Sequence, residues 1–322
     1  MRDPLAIPKA TAPTAYIIMA FAALYVIWGS TYLGMAIAID TMPPFLMAST
    51  RFFVAGAILY FIRRWLGDPT PNAREWRSAT IIGTLLFLGG NGVVAWAQHW
   101  VPSGVAALLI TATPFWMTIL PWLAGNTPRP TALGLIGIAV GLIGVGLLVS
   151  FPVGNAPNLP IVIGSLAIVG ASLSWTLGSL SNKRLPLPKS AWMSSATQML
   201  CGAVGLGLAG VLGGEVQRVE LTEISMRSWM ALVYLIFIGA ILGFSAYTYL
   251  LQHVSMARIS TYAFVNPVVA VFLGWLINNE PIGPRTLLAG ALIITAVMII
   301  LRSTSTVAPT RSRSEDKPFS RQ

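Results

Sequence analysis

The side chains in this chain that could do chemistry are rings, amides, hydroxyls and one arginine, all set inside long apolar runs. Trp28, Trp96, Trp116 and Trp175 stand well inside such runs, accompanied by Tyr32, Tyr247 and Tyr262. Tyr25, Trp28 and Tyr32 recur at i, i+3 and i+7, and Tyr262 and Asn266 at i and i+4, so each set shares a helical face. Tryptophan in a membrane protein usually sits at the lipid–water boundary. Rings placed deeper either line a cavity or fill the packing. A cavity lined by rings is broad and apolar, its few polar groups orient the ligand, and the ring faces attract an ammonium group. Asn91, Thr113, Ser174, Ser179 and Asn266 are the polar contacts it would offer, although such residues equally serve as hydrogen bonds between helices.

Pro114 and Pro267 lie near the middle of their runs. Each removes one helical hydrogen bond and frees the carbonyl four residues back, Ile110 and Ala263 respectively. Both are candidate hinges, and the freed carbonyls are candidate acceptors for an ammonium; the alternative is a packing kink. Arg51 is the one charge deep inside a run, and no acid inside any run can partner it. An ionised side chain at that depth is costly and marks either a ligand contact, here for a carboxylate, or a structural role toward helix-end carbonyls.

What is missing narrows the function. All ten acidic residues fall in loops or tails, and only His99 and His253, each near the end of a run, could titrate near neutrality. A proton-driven carrier usually embeds an acid or histidine, so facilitated diffusion or exchange is expected. Two histidines and the single Cys201 leave almost nothing for a nucleophile–base pair or a metal site within the bilayer. No enzyme, metal or cofactor is therefore expected. A channel would usually show filter rings, and none is present.

These residues need elements to hold them. The 322 residues are 55% apolar and only 9% charged, with mean hydropathy +0.74, far from a soluble domain's surface requirement. Apolar runs predict ten helices. They cover Tyr16–Ile39, Pro44–Arg64, Trp76–His99, Ser103–Leu123, Thr131–Phe151, Leu159–Asn182, Ser190–Leu212, Arg227–Gln252, Ala257–Ile277 and Pro284–Leu301. The net charge of +10 sits at the ends of these runs, which is membrane topology rather than nucleic-acid binding. With the N-terminus inside, only Arg218, Arg227 and Arg285 of the flanking Lys and Arg residues fall outside, so both termini are expected to be cytoplasmic. Residues 1–15 then form a short cytoplasmic segment, and 303–322 a disordered cytoplasmic tail.

The halves 16–151 and 159–301 read as a repeat. At one constant offset Pro114 falls on Pro267, Trp122 on Trp275, Pro128 on Pro281 and Gly137 on Gly290; one residue of slippage earlier, Gly89 falls on Gly243. Five crossings are an odd number, so the second copy enters from the opposite face. Inverted repeats let one site open alternately to each side. Gly137, Gly141, Gly144, Gly202, Gly205 and Gly213 provide small faces for packing within such a bundle, so function as a monomer is expected.

Trp28-Gly29-Ser30, Arg51-Phe52, Asn266-Pro267-Val268 and Asn279-Glu280-Pro281 resemble the drug/metabolite transporter superfamily, in particular its EamA family of ten-span carriers and, within it, the YddG-type amino-acid exporters. The resemblance extends from Tyr16 to Leu301. It implies a multi-pass protein of the bacterial inner membrane, an all-α fold, export of amino acids or similar small metabolites, and a central cavity lined by the first, third, fourth, sixth, eighth and ninth spans. Thr127 occupies the first-half place of Glu280, so that glutamate is not expected to be required in both halves.

Overall fold

A computed structural model describes residues 14–127, 129–149, 159–182, 184–254 and 262–305. Among these, seven helices are long and apolar enough to cross a membrane, and three shorter apolar helices accompany them; there is no strand. In chain order the helices are α1 (Thr14–Ile39), α2 (Pro44–Trp65), α3 (Ala73–Ala97), α4a (Ser103–Ile110) with α4b (Thr113–Leu123), α5 (Ala132–Val149), α6 (Leu159–Ser181), α7 (Ala191–Leu212), α8 (226–253), α9 (Tyr262–Asn278) and α10 (Pro284–Ser305). Most ends lie within three residues of the sequence expectation. Helix α10 runs on to Ser305, so the chain is still helical where the tail was expected to begin. Pro128, Phe151 and the expected start of the ninth span at Ala257 lie outside the described residues, as does the tail beyond Ser305.

Three departures from simple helices matter for the site. The fourth span is broken: Thr111 and Ala112 form a turn between α4a and α4b, just ahead of Pro114. Pro267, its repeat counterpart, sits inside a continuous α9. Helices α3 and α8 each widen into a π-helix, over Thr84–Gly92 and Leu235–Leu242. A π-helix holds an extra residue in the helical turn and leaves carbonyls poorly matched. Ser174 Oγ of α6 donates to Leu85 O at 2.8 Å, and Asn91 Nδ2 to Leu86 O at 3.3 Å, both within the first of these segments. The apolar runs predict plain helix there, because a hydrophobic pattern carries no mark of such a widening.

Packing pairs equivalent helices of the two halves. Helix α2 lies along α7, where Ser49 Oγ donates to Ala203 O at 2.8 Å, and α5 lies along α10. Gly137 and Gly144 face α10 closely enough that a Cβ on either would lie 3.1 Å from the carbonyl of Ala296 or Ala289. At the far end of α2, Arg63 donates Nε and Nη2 to the two oxygens of Asp68 at 2.8 and 2.7 Å. Those bonds hold the Asp68 carboxyl below the usual carboxylate range.

Two loop glutamates join the halves. The N-cap positions of α2 and α4a are Pro43 and Pro102, and neither has a side chain able to accept a hydrogen bond. Glu215, just past α7, accepts from Phe45 N at 3.2 Å and Leu46 N at 2.9 Å. Glu280, just past α9, accepts from Ser103 N at 3.0 Å and Gly104 N at 3.1 Å. Each follows a left-handed residue that turns the chain back, Gly214 at φ 72° and Asn279 at φ 51°. Carboxylates supplied by the second half thus cap helices of the first, and both caps complement the helix dipole.

Candidate functional site

A cavity of about 330 Å³ lies between the halves. Its wall takes Trp28, Thr31, Tyr32 and Met35 from α1, Arg51 and Phe52 from α2, and Phe87, Gly90, Asn91 and Val94 from α3. The broken fourth span adds Ile110, Thr111, Thr113, Pro114, Met117 and Thr118; α6 adds Trp175, α8 Gly239 and Phe244, and α9 Tyr262, Asn266 and Pro267. The six spans expected from the resemblance all contribute. Helix α2 and Ile300 of α10 contribute as well, which that expectation omitted.

Rings from three helices meet at Trp28. Tyr247 and Tyr262 lie with centroids 5.3 Å away and Phe244 at 5.6 Å, the Tyr262 contact being edge-on. Helix α8 permits this because a Cβ at Gly243 would fall 2.6 Å from Trp28 Nε1. Phe52 and Phe87, also in the cavity wall, pair with ring centroids 4.4 Å apart.

Of the residues singled out in the sequence, Trp28, Tyr32, Asn91, Thr113, Trp175, Tyr262, Asn266, Pro114, Pro267 and Arg51 are brought together in this wall. Trp96, Trp116, Ser179 and Tyr247 are not part of it. Trp96 packs edge-on against Trp100 at 4.9 Å. Trp116 Nε1 donates to Ser172 Oγ at 2.9 Å, and Ser179 Oγ returns to Trp175 O at 2.8 Å. Tyr247 buttresses Trp28 from behind. The freed Ile110 carbonyl also differs from its reading as an open acceptor, because Thr113 Oγ1 already donates to it at 2.7 Å. Asn266, buried at 7% exposure, keeps an Oδ1 with no hydrogen-bond partner. Phe87, Phe244 and Met117 were missed; apolar residues within apolar helices carry no signal of which way they face.

A second, more polar hollow of about 440 Å³ sits at the end of the bundle that holds the two glutamate caps, lined by Asp40, Gln98, His99, Trp100, Asn278 and Glu280 among others. From the lining of this hollow, Gln98 donates Nε2 to the carbonyl of Tyr32, a residue of the cavity wall, at 3.0 Å. Buried and hydrogen-bonded to α1, it ties the lining of the hollow to that of the cavity.

The EamA-like transporter family matches the chain twice, over residues 14–150 and again over 162–302. The chain belongs to that family. Among EamA relatives, the uncharacterized inner membrane transporter YedA of Escherichia coli K12 is 38% identical over 280 residues, covering 86% of this chain and 88% of its own. A probable amino-acid metabolite efflux pump of Salmonella typhimurium is 26% identical over 294 residues, covering 88% and 95%. A crystal structure 18% identical superposes with a TM-score of 0.61 over 92% of this chain and all of the other, a likeness of fold. This EamA protein is thus a membrane transporter, multi-pass and of the inner membrane, built on a family unit that occurs twice.

Proposed function

We propose that this EamA protein exports amino acids, aromatic and other apolar ones included, or similar small metabolites, by alternating access through the central cavity. In this reading the ten helices all span the bilayer, as inverted repeats 16–151 and 159–301 with both termini cytoplasmic, and the monomer is the working unit. The two family matches, the pairing of α2 with α7 and α5 with α10, and the π-helices in the third helix of each half support the repeat. The distribution of Lys and Arg supports the orientation. The similarity to a probable amino-acid metabolite efflux pump, at 26% identity, supports the substrate class.

The observation that carries the reading is the ring-lined cavity with the unpartnered Asn266 Oδ1 in its wall. At about 330 Å³ it is at the small end of the roughly 300–1,000 Å³ typical of ligand pockets, the size of one small metabolite. An ammonium would find the Asn266 acceptor and the faces of Trp28 and Tyr262, and an apolar side chain would find the remaining rings.

Counterflow tests this. Proteoliposomes loaded with a panel of unlabelled amino acids should take up labelled phenylalanine faster with some loads than with others. No acceleration by any load, from folded protein, would shift the reading to a different metabolite or drug class. Trp175→Ala should reduce the counterflow rate about tenfold at low substrate, the scale of one lost ring contact, with the yield of folded protein unchanged. Flux equal to the wild type would remove Trp175 from the site.

A further inference from the structure

The central cavity contains a charge that the protein does not neutralise. Arg51 is buried at 5% exposure and forms part of the cavity wall. It lies seven residues beyond the start of α2 at Pro44, about 10 Å into the helix at 1.5 Å per residue. Among the described residues it makes no hydrogen bond and no ion pair, and its Nε is buried without a partner. The described acids lie in loops or at helix ends; Glu215 and Glu280 are engaged as helix caps and Asp68 with Arg63. The guanidinium carbon lies over the ring of its own neighbour Phe52, 4.7 Å from the centroid, and the nearby Tyr234 phenol also favours the charge, but neither is a hydrogen-bonded counter-charge.

An uncompensated guanidinium in a low-dielectric wall is costly, and removing it would be the simplest way to stabilise the fold. The surroundings instead make room for it. The π-helix of α8 presents Gly239 to the fork, and a Cβ there would lie 3.4 Å from Nη2 and 3.1 Å from Thr31 Cγ2. A planar fork of donors that faces a cavity and lacks an internal acceptor is suited to a planar carboxylate, which it can meet with two parallel hydrogen bonds. Asn266 leaves the opposite deficit in the same wall, an acceptor without a donor.

We infer that Arg51 anchors a carboxylate of the transported molecule, so that the cavity selects substrates bearing one. This rests on the reading of the cavity as the substrate site and deepens it: rings set the preference for apolar side chains, and Arg51 sets the requirement for an acid group. Amines and neutral drugs of the same size fill the rings and leave the charge unpaired, which is the basis of their rejection.

Binding to purified protein, measured by calorimetry or thermal shift, separates the possibilities with three probes of one shape: L-phenylalanine, 3-phenylpropionate and phenethylamine. The wild type should bind both carboxylates and bind phenethylamine at least about tenfold more weakly. Arg51→Gln should abolish that preference, weakening both carboxylates while leaving phenethylamine unchanged or tighter. Arg51→Lys, which keeps the charge and loses the fork, should fall between, and provides the comparison should the glutamine variant fail to fold. The proposal is overturned if the wild type binds phenethylamine as tightly as 3-phenylpropionate, if it binds neither carboxylate, or if a folded Arg51 variant keeps the wild-type order. Arg51-dependent binding of 3-phenylpropionate without that of phenylalanine would leave the carboxylate anchor standing and remove amino acids as the cargo.

Discussion

Glu280→Ala is expected to lower the unfolding free energy of the purified protein by about 2 kcal/mol, seen as an earlier transition in detergent. The carboxylate meets Ser103 N and Gly104 N at the start of α4a, and Pro102 ahead of them has nothing to offer in its place. Hydrogen bonds to a charged acceptor are the strong kind, and this one also faces the positive end of a helix dipole. Glu280→Gln keeps an acceptor oxygen and loses the charge, so it should lie about halfway between. The effect should reach function, because α9 and α4 each contribute cavity wall and this carboxylate is a direct bond between them. Unchanged unfolding in Glu280→Ala would mean that water replaces the carboxylate at no cost. Glu215→Ala should behave alike on α2, where the capped groups are Phe45 N and Leu46 N.

Gly83→Ala should be worse still, at about 3 kcal/mol or an outright loss of folded protein. Helices α3 and α7 touch backbone to backbone at this point. A Cβ on Gly83 would stand 2.3 Å from Gln198 O and 2.9 Å from Gly202 N, and a Cβ on Gly202 would stand 2.8 Å from Gly83 O. Side chains can rotate away from an added methyl, but carbonyls of a packed helix move only with the helix. Gly170→Ala in α6 is the control, since nothing lies within 4 Å of its would-be Cβ. That change should be neutral or stabilise by up to about 1 kcal/mol through helix propensity. Comparable yields and unfolding temperatures for the two variants would show that the α3–α7 contact is looser than described.

Much of this architecture can be read from the chain, and the limits have physical causes. Span ends are legible because lipid tolerates neither charge nor unpaired backbone, so Pro44, Ser103 and Pro284 start helices where the apolar runs begin. Arg51 and Asn266 stand out for being polar at depth, and both line the cavity. Trp28 and Trp96 show where this stops working. Both are tryptophans within apolar helices, yet Trp28 faces the cavity and Trp96 packs on Trp100. A helix apolar on every side has no pattern to say which face meets protein and which meets lipid. The glutamate caps are hidden for another reason. Glu215 and Phe45 are far apart in sequence, and nothing local to either announces the other. The Thr127–Glu280 mismatch between halves is consistent with the caps, because Glu280 serves a first-half helix rather than a copy of its own role.

The π-helices of α3 and α8 also act as a phase setting. Each residue of an α-helix advances the next by about 100° of rotation and 1.5 Å of rise. A turn that accommodates one residue too many therefore shifts the azimuth of everything beyond it. In α3 the residues so displaced include Val94, which lines the cavity, and Gln98, which is bonded to α1. In α8 they include Phe244 of the cavity wall. With no residue removed, either helix forced into regular α geometry would regain the rotation that its wide turn absorbs. Its second half would be wound out of step, turning toward lipid the side chains that now enclose the substrate space.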